Sequence, residues 1–167
     1  ATVMSNLGFF LMGQQNGIHM EQTKVGDRYV LERMREIGAS LGGEQSGHII
    51  FLKENTTGDG LLSALHLLKV LVETEKPLSE LAAIMEVLPQ ALVNAKVPNH
   101  KKEKYMDYPE IADAIQKLDE KYAGEGRVLI RPSGTEPLVR VMIEGKDKKM
   151  IDDDAKQLAE LIQNIML

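Results

Sequence analysis

The feature that most constrains this chain is a change of pattern at residues 86–89. Before it, short apolar runs alternate with segments at helical spacing, each punctuated by a cap residue or a glycine. After it, the order becomes strand, helix, strand, strand, helix. A chain of 167 residues can form one ordinary domain or two small ones. The change at 86–89 argues for two, 1–86 and 87–167. The first half is expected to be a layered α/β domain. The second is expected to be a smaller α+β domain, an antiparallel sheet with two helices on one side.

The local signals behind this division are specific. Residues 1–5 read as the end of a strand. Ser5 or Asn6 caps a helix through Leu7, Phe9, Phe10, Leu11 and Met12, which Gly17 ends. Residues 18–23 read as a short strand. Asp27 is the expected cap of a helix over 28–37, with Val30, Leu31, Met34 and Ile37 at helical spacing and Gly38 closing it. A polar turn over 42–48 precedes a strand at 49–52. Asp59 caps a long helix through Leu61, Leu65, Leu68 and Val72, and Pro77 opens a short one. In the second half, strands are expected at 91–97, 127–130 and 138–144, and helices at 109–122 and 148–166. The polar stretch 99–104 reads as a mobile loop.

Composition closes off several function classes. The chain has no cysteine, which excludes disulfides and thiol chemistry and suits a reducing cytoplasm. Only 4% of residues are aromatic and none is Trp, which argues against base-stacking surfaces. The formal net charge of -5 argues against a nucleic-acid partner, so an anionic ligand has to be held by a few placed cations. No apolar run reaches the length of a membrane span, so no membrane partner is expected. No signal peptide opens the chain. It begins at Ala1 with residues that already read as strand, so an upstream part is expected.

Two loops have compositions beyond what a turn requires. Arg131-Pro132-Ser133-Gly134-Thr135-Glu136-Pro137 joins two expected strands. A guanidinium supplies directed charged donors. Ser133 and Thr135 supply hydroxyls, and Gly134 lets backbone N–H groups approach an anion. Arg140 can add charge from the following strand. The alternative is a rigid surface turn. The second loop, Gly42-Gly43-Glu44-Gln45-Ser46-Gly47-His48, sets a carboxylate and a hydroxyl among three glycines. That set suits sugar hydroxyls, and equally a polar hairpin. Ser46 and His48 are expected to be held apart by the extended chain, with no orienting acid, which sets aside a nucleophile–base pair. Lys24-Val25-Gly26-Asp27-Arg28 stands at a helix start, where an anion is favoured. Asp59 and the acids Asp152, Asp153 and Asp154 read as helix caps and first-turn acids. The four histidines have no metal-like spacing, and His66 reads as structural. No metal site and no self-contained catalytic centre is expected.

Taken in order, the Lys24–Arg28 segment, Gly43-Glu44-Gln45-Ser46-Gly47-His48, Thr57-Gly58-Asp59-Gly60 and the Arg131 loop resemble the α-D-phosphohexomutase family. The resemblance spans most of the chain. It implies domains three and four of a four-domain enzyme, the fourth resembling the TATA-binding-protein fold. It implies a sugar site at Glu44, Ser46, His48 and Lys24, and a phosphate site at Arg131, Ser133, Gly134, Thr135 and Arg140. The family's phosphoserine and magnesium loops have no counterpart here, so catalysis would need the missing domains one and two. The parent enzyme would be a cytoplasmic isomerase, possible as a homodimer. It would use Mg2+ and a hexosamine or glucose bisphosphate to interconvert glucosamine 6-phosphate and glucosamine 1-phosphate. The alternatives are a relative acting on mannose or glucose phosphates, or a non-catalytic interaction module.

Overall fold

A computed structural model describes residues 1–167, which divide into two compact units, Ala1–Val87 and Leu88–Leu167. In the first, helix α1 (Leu7–Gln15) starts where Asn6 accepts a hydrogen bond from the Gly8 N–H at 3.0 Å, and Gly17 leaves it with φ +65°. Helix α2 (Asp27–Ile37) buries Val30 and Met34 and ends on Gly38 in the left-handed region. Strands β1 (Leu41–Gly43) and β2 (Ile49–Phe51) pair antiparallel, with Gly42 opposite Ile50. A side chain at Gly42 would meet Met34 at 2.3 Å, so this glycine lets the hairpin lie directly on α2. Val30, Met34 and Ile50 form the small buried core, flanked by Leu31, Ala39 and Leu52.

The expected strand at 18–23 does not form. Thr2 and Thr23 make a single parallel bridge, through Val3 N–H to Thr23 O and Thr23 N–H to Ala1 O, both at 2.9 Å. The turn that closes at once from Ser5 N–H to Thr2 O carries the chain away before a second pair can form. Asp27 is also not the cap: the capping position is Gly26, at φ +131°, and Asp27 is the first helical residue.

Helix α3 (Gly60–Thr74) starts on Asp59, whose carboxylate accepts from the Leu62 N–H at 3.0 Å. None of its residues is buried, and Leu61, Leu65, Leu68 and Val72 are exposed. Its anchorage is therefore polar as well as apolar. His66 stacks on Phe51 with centroids 3.9 Å apart and bonds Glu54 at 2.7 Å. With so little burial, the cap carries more of the helix's stability. Asp59→Ala is expected to cost about 1 kcal/mol and to speed amide exchange through the first turn of α3. Unchanged protection of the Leu62 amide would contradict this. The short helix α4 (Leu78–Ala82) follows Pro77.

The second unit is built on strands β3 (Gln90–Lys96), β4 (Arg127–Pro132) and β5 (Leu138–Glu144), ordered β3-β5-β4 and all antiparallel. Helix α5 (Pro109–Tyr122) begins with proline at its first turn, where the missing N–H costs nothing. Helix α6 (Lys148–Met166) buries Ile151, Ala155, Leu158, Ala159, Ile162 and Met166 along one stripe. These residues meet Val139, Val141 and Ile143 of the central strand in one core with Ile111 and Ile115 of α5. The alternation of β5 puts Arg140, Met142 and Glu144 on the opposite face. Glu144 is fully buried there and pairs with Arg127 at 2.5 Å.

The stretch 99–104 is not a loose loop. Residues Lys102–Asp107 form a 3-10 helix. Lys101 Nζ donates to Met166 O at 3.0 Å, and Tyr105 donates to Ile130 O at 3.3 Å. Two of the polar residues that suggested mobility, Lys101 and Lys102, end on backbone carbonyls of neighbouring elements.

Candidate functional site

The hairpin between β1 and β2 closes through Glu44 N–H to His48 O at 2.9 Å and Gly47 N–H to Glu44 O at 3.0 Å, with Gly47 at φ +99°. Glu44 Oε1 accepts from the Gly26 N–H at 2.6 Å, at the start of α2. A helix N-terminus favours a carboxylate there. Ser46 Oγ lies 3.2 Å from Glu44 Oε2 and 3.1 Å from His48 Nδ1. The expectation that Ser46 and His48 stay apart therefore fails, because the segment is not extended: it is a tight turn, with Gly47 at φ +99°, that brings the two side chains together. The arrangement is still not a nucleophile's relay. The acid meets the hydroxyl, whereas a relay places it on the far side of the imidazole. Gly58 packs beside His48, 3.1 Å from a ring carbon at the position a side chain would take. Lys24 is exposed on the segment leading into α2. Glu44, Ser46 and His48 thus form one polar cluster, with exposed hydroxyl and imidazole and a tethered carboxylate.

In the second unit β4 runs on through Arg131 and Pro132, two residues further than expected. Proline is tolerated because β4 is an edge strand. Arg131 therefore sits on the sheet directly opposite Arg140 of β5. Like charges opposed across a strand pair are destabilising. Burial, and then the neighbouring Arg140, hold the Arg131 guanidinium below its ordinary pKa. The buried Arg140 Nε has no hydrogen-bond partner, although its other end pairs with Glu136 at 2.9 Å. A buried donor without a partner, beside a like charge, is a feature that packing alone does not account for.

The loop beyond these arginines closes through Ser133 N–H to Leu138 O at 2.9 Å. Ser133 is buried, and its hydroxyl accepts from the Glu136 N–H at 3.2 Å. Gly134 and Thr135 are exposed at the tip, and a side chain at Gly134 would meet nothing within 4 Å. Two residues given no role in the sequence reading shape this loop. Glu136 links Ser133 and Arg140, and Lys102 lies beneath with its ammonium on loop carbonyls. Glu136 was visible only as a member of the motif. Nothing in sequence spacing connects Lys102 to it.

No group of three or more His, Cys, Asp or Glu side chains is arranged to hold a metal ion, and no helix is long and apolar enough to cross a membrane.

The chain thus pairs an α/β unit carrying a tethered-carboxylate hairpin with an α+β unit carrying an arginine-backed loop. Two family models match it. One is the phosphoglucomutase/phosphomannomutase alpha/beta/alpha domain III, over residues 1–88. The other is the phosphoglucomutase/phosphomannomutase C-terminal domain, over residues 92–161. The chain belongs to the phosphoglucomutase/phosphomannomutase family. It is 63% identical over 163 residues to phosphoglucosamine mutase of Ruminiclostridium cellulolyticum, covering 98% of this chain and 36% of that protein. It is 57% identical over 162 residues to phosphoglucosamine mutase of Clostridioides difficile, covering 97% and 36%. The chain thus spans about a third of the length of these relatives. A solved structure of Aspergillus fumigatus N-acetylphosphoglucosamine mutase superposes with a TM-score of 0.80 at 21% identity, over 99% of this chain and 38% of that one. That likeness shows the fold.

Proposed function

We propose that this chain is the substrate-gripping C-terminal part of a phosphoglucosamine mutase, an isomerase that interconverts glucosamine 6-phosphate and glucosamine 1-phosphate. The observation that carries the grip is the cross-strand pair Arg131 and Arg140, with its unpartnered Nε, at the base of an exposed Gly134-Thr135 tip. Identity of 63% to a phosphoglucosamine mutase supports the choice of sugar.

In this reading Arg131 and Arg140 bind the phosphate that is not reacting, and Gly134 N–H and the Thr135 hydroxyl complete its shell. Ser133, whose hydroxyl supports the loop from inside, contributes from its position at the base. Glu44 keeps one oxygen on Gly26 and offers the other, with Ser46, to a pair of sugar hydroxyls, while His48 and Lys24 border that cluster. Such a grip suits a reaction in which each end of the sugar must face the chemical centre in turn. Backbone donors and guanidiniums recognise a phosphate whichever carbon bears it. The phosphoserine, the Mg2+ and the bisphosphate intermediate belong, in this proposal, with domains one and two of the same cytoplasmic enzyme. The chain alone is then inactive.

The test is turnover of glucosamine 6-phosphate, mannose 6-phosphate and glucose 6-phosphate by the full-length protein. The expected result is the highest kcat/KM for the amino sugar. A preference for either of the others would overturn the choice of substrate, and no turnover of any would overturn the mutase reading.

A further inference from the structure

Lys102 is one of the few charged residues buried in this chain, 8% exposed. Its ammonium donates a short hydrogen bond to Ser133 O and a second, at 3.3 Å, to Glu136 O. Both acceptors belong to the arginine-backed loop. The lysine reaches them from a rigid base. Its own N–H bonds Pro98 O at 3.1 Å, Lys101 is tied to Met166 at the end of α6, and Tyr105 is tied to β4.

The position has a consequence for the loop's outer face. In a trans peptide the C=O and the following N–H point in opposite directions, and the chain contains no cis bond. With Ser133 C=O drawn inward to Lys102, the Gly134 N–H is turned outward, to the exposed tip. A side chain at Gly134 would meet nothing within 4 Å, so no packing at that position holds this peptide plane. Pro137 follows the second acceptor and has no N–H, so at Glu136 the lysine satisfies a carbonyl without orienting a donor. A buried ammonium directly beneath also adds positive charge to a site already backed by Arg131 and Arg140.

We propose that Lys102 is a positioning residue for anion binding: its ammonium locks the 133–134 peptide so that the Gly134 N–H faces the phosphate group of the ligand. This rests on the reading of the loop as a phosphate grip. The lysine does not touch the ligand. It sets the direction of a donor that does.

The test uses the full-length enzyme with Lys102→Met, Lys102→Arg and Lys102→Gln, beside Arg131→Ala as the control for the grip itself. Because the interaction serves ground state and transition state alike, its loss is expected as a rise in KM of roughly tenfold with kcat little changed. Lys102→Arg should recover part of it. The backbone amide of Gly134 should lose its phosphate-induced NMR shift in Lys102→Met, while amides of α2 in the first unit keep their wild-type positions. If Lys102→Met fails to fold, Lys102→Gln, which replaces the ammonium by a shorter, neutral amide, decides by the same readings. A lowered melting temperature with wild-type KM and a normal Gly134 response would make Lys102 a structural residue only and overturn the proposal. Wild-type kinetics in Arg131→Ala would instead overturn the grip. A raised KM in Arg131→Ala with a wild-type KM in Lys102→Met would overturn the lysine's role and leave the grip standing.

Discussion

Arg131→Ala in the full-length enzyme is expected to lower kcat/KM at least about tenfold, on the scale of one lost charge-assisted contact of roughly 1.5–3 kcal/mol. The same substitution should leave the folded protein as stable as before, or slightly more so. Arg131 faces Arg140 across the strand pair, and its guanidinium is already disfavoured by burial and by that neighbour. Removing it relieves a like-charge contact in the free protein. The paired signature, activity down and stability unchanged or up, separates a ligand-binding arginine from a structural one. Steady-state kinetics and thermal melting on one preparation test both halves. Wild-type kcat/KM would sink the assignment, and a large loss of melting temperature would recast Arg131 as a scaffold residue.

Arg127 lies four residues earlier on the same strand and the same face, and the opposite outcome is expected for it. Its guanidinium pairs at 2.5 Å with Glu144, which is fully buried. Arg127→Ala leaves that carboxylate without its guanidinium inside the protein, at a cost of about 3–5 kcal/mol. In a domain of this size each kcal/mol shifts the melting temperature by roughly 4–8 °C. Urea unfolding of the full-length protein, read by a probe in the second unit, measures the loss. A change under about 0.5 kcal/mol would show that the pair contributes little beyond its desolvation cost. The two arginines are the same residue type in equivalent strand positions. One meets a carboxylate across the ladder and the other meets a cation, and the proposed function rests on that difference.

Most helices were legible in the sequence because their signals are local. Asn6, Asp59 and Pro109 mark starts that the structure places where their side-chain chemistry requires. Gly38 closes α2 in the left-handed region, as a glycine there implies. Ile151, Ala155, Leu158 and Ile162 stand at helical spacing in the sequence and lie on the buried face of α6. Less local signals fared worse. Residues 18–23 have strand-like composition, yet a strand needs a partner of matching length, and the turn after Val3 removes it. The stretch 99–104 looked loose because lysines usually point to water. Here two of them end on carbonyls more than thirty residues away in sequence.

The candidate site divides along the same line. The residues that donate and accept, Glu44, Ser46 and His48 in one loop and Arg131, Ser133, Gly134 and Thr135 in the other, stand together in the sequence and were found there as motifs. Their working arrangement was not. Glu44 is aimed by the Gly26 N–H, 18 residues away. Arg131 becomes half of a like-charge pair only because β4 and β5 align in one register. The Ser133 carbonyl is held by an ammonium 31 residues away. The order of residues was enough to show which chemical groups the two loops carry, because short loops keep their residues together whatever the rest does. Tertiary structure alone decided which of those groups are tethered, which are opposed and which face outward, since each depends on a hydrogen bond or a strand register that links distant parts of the chain.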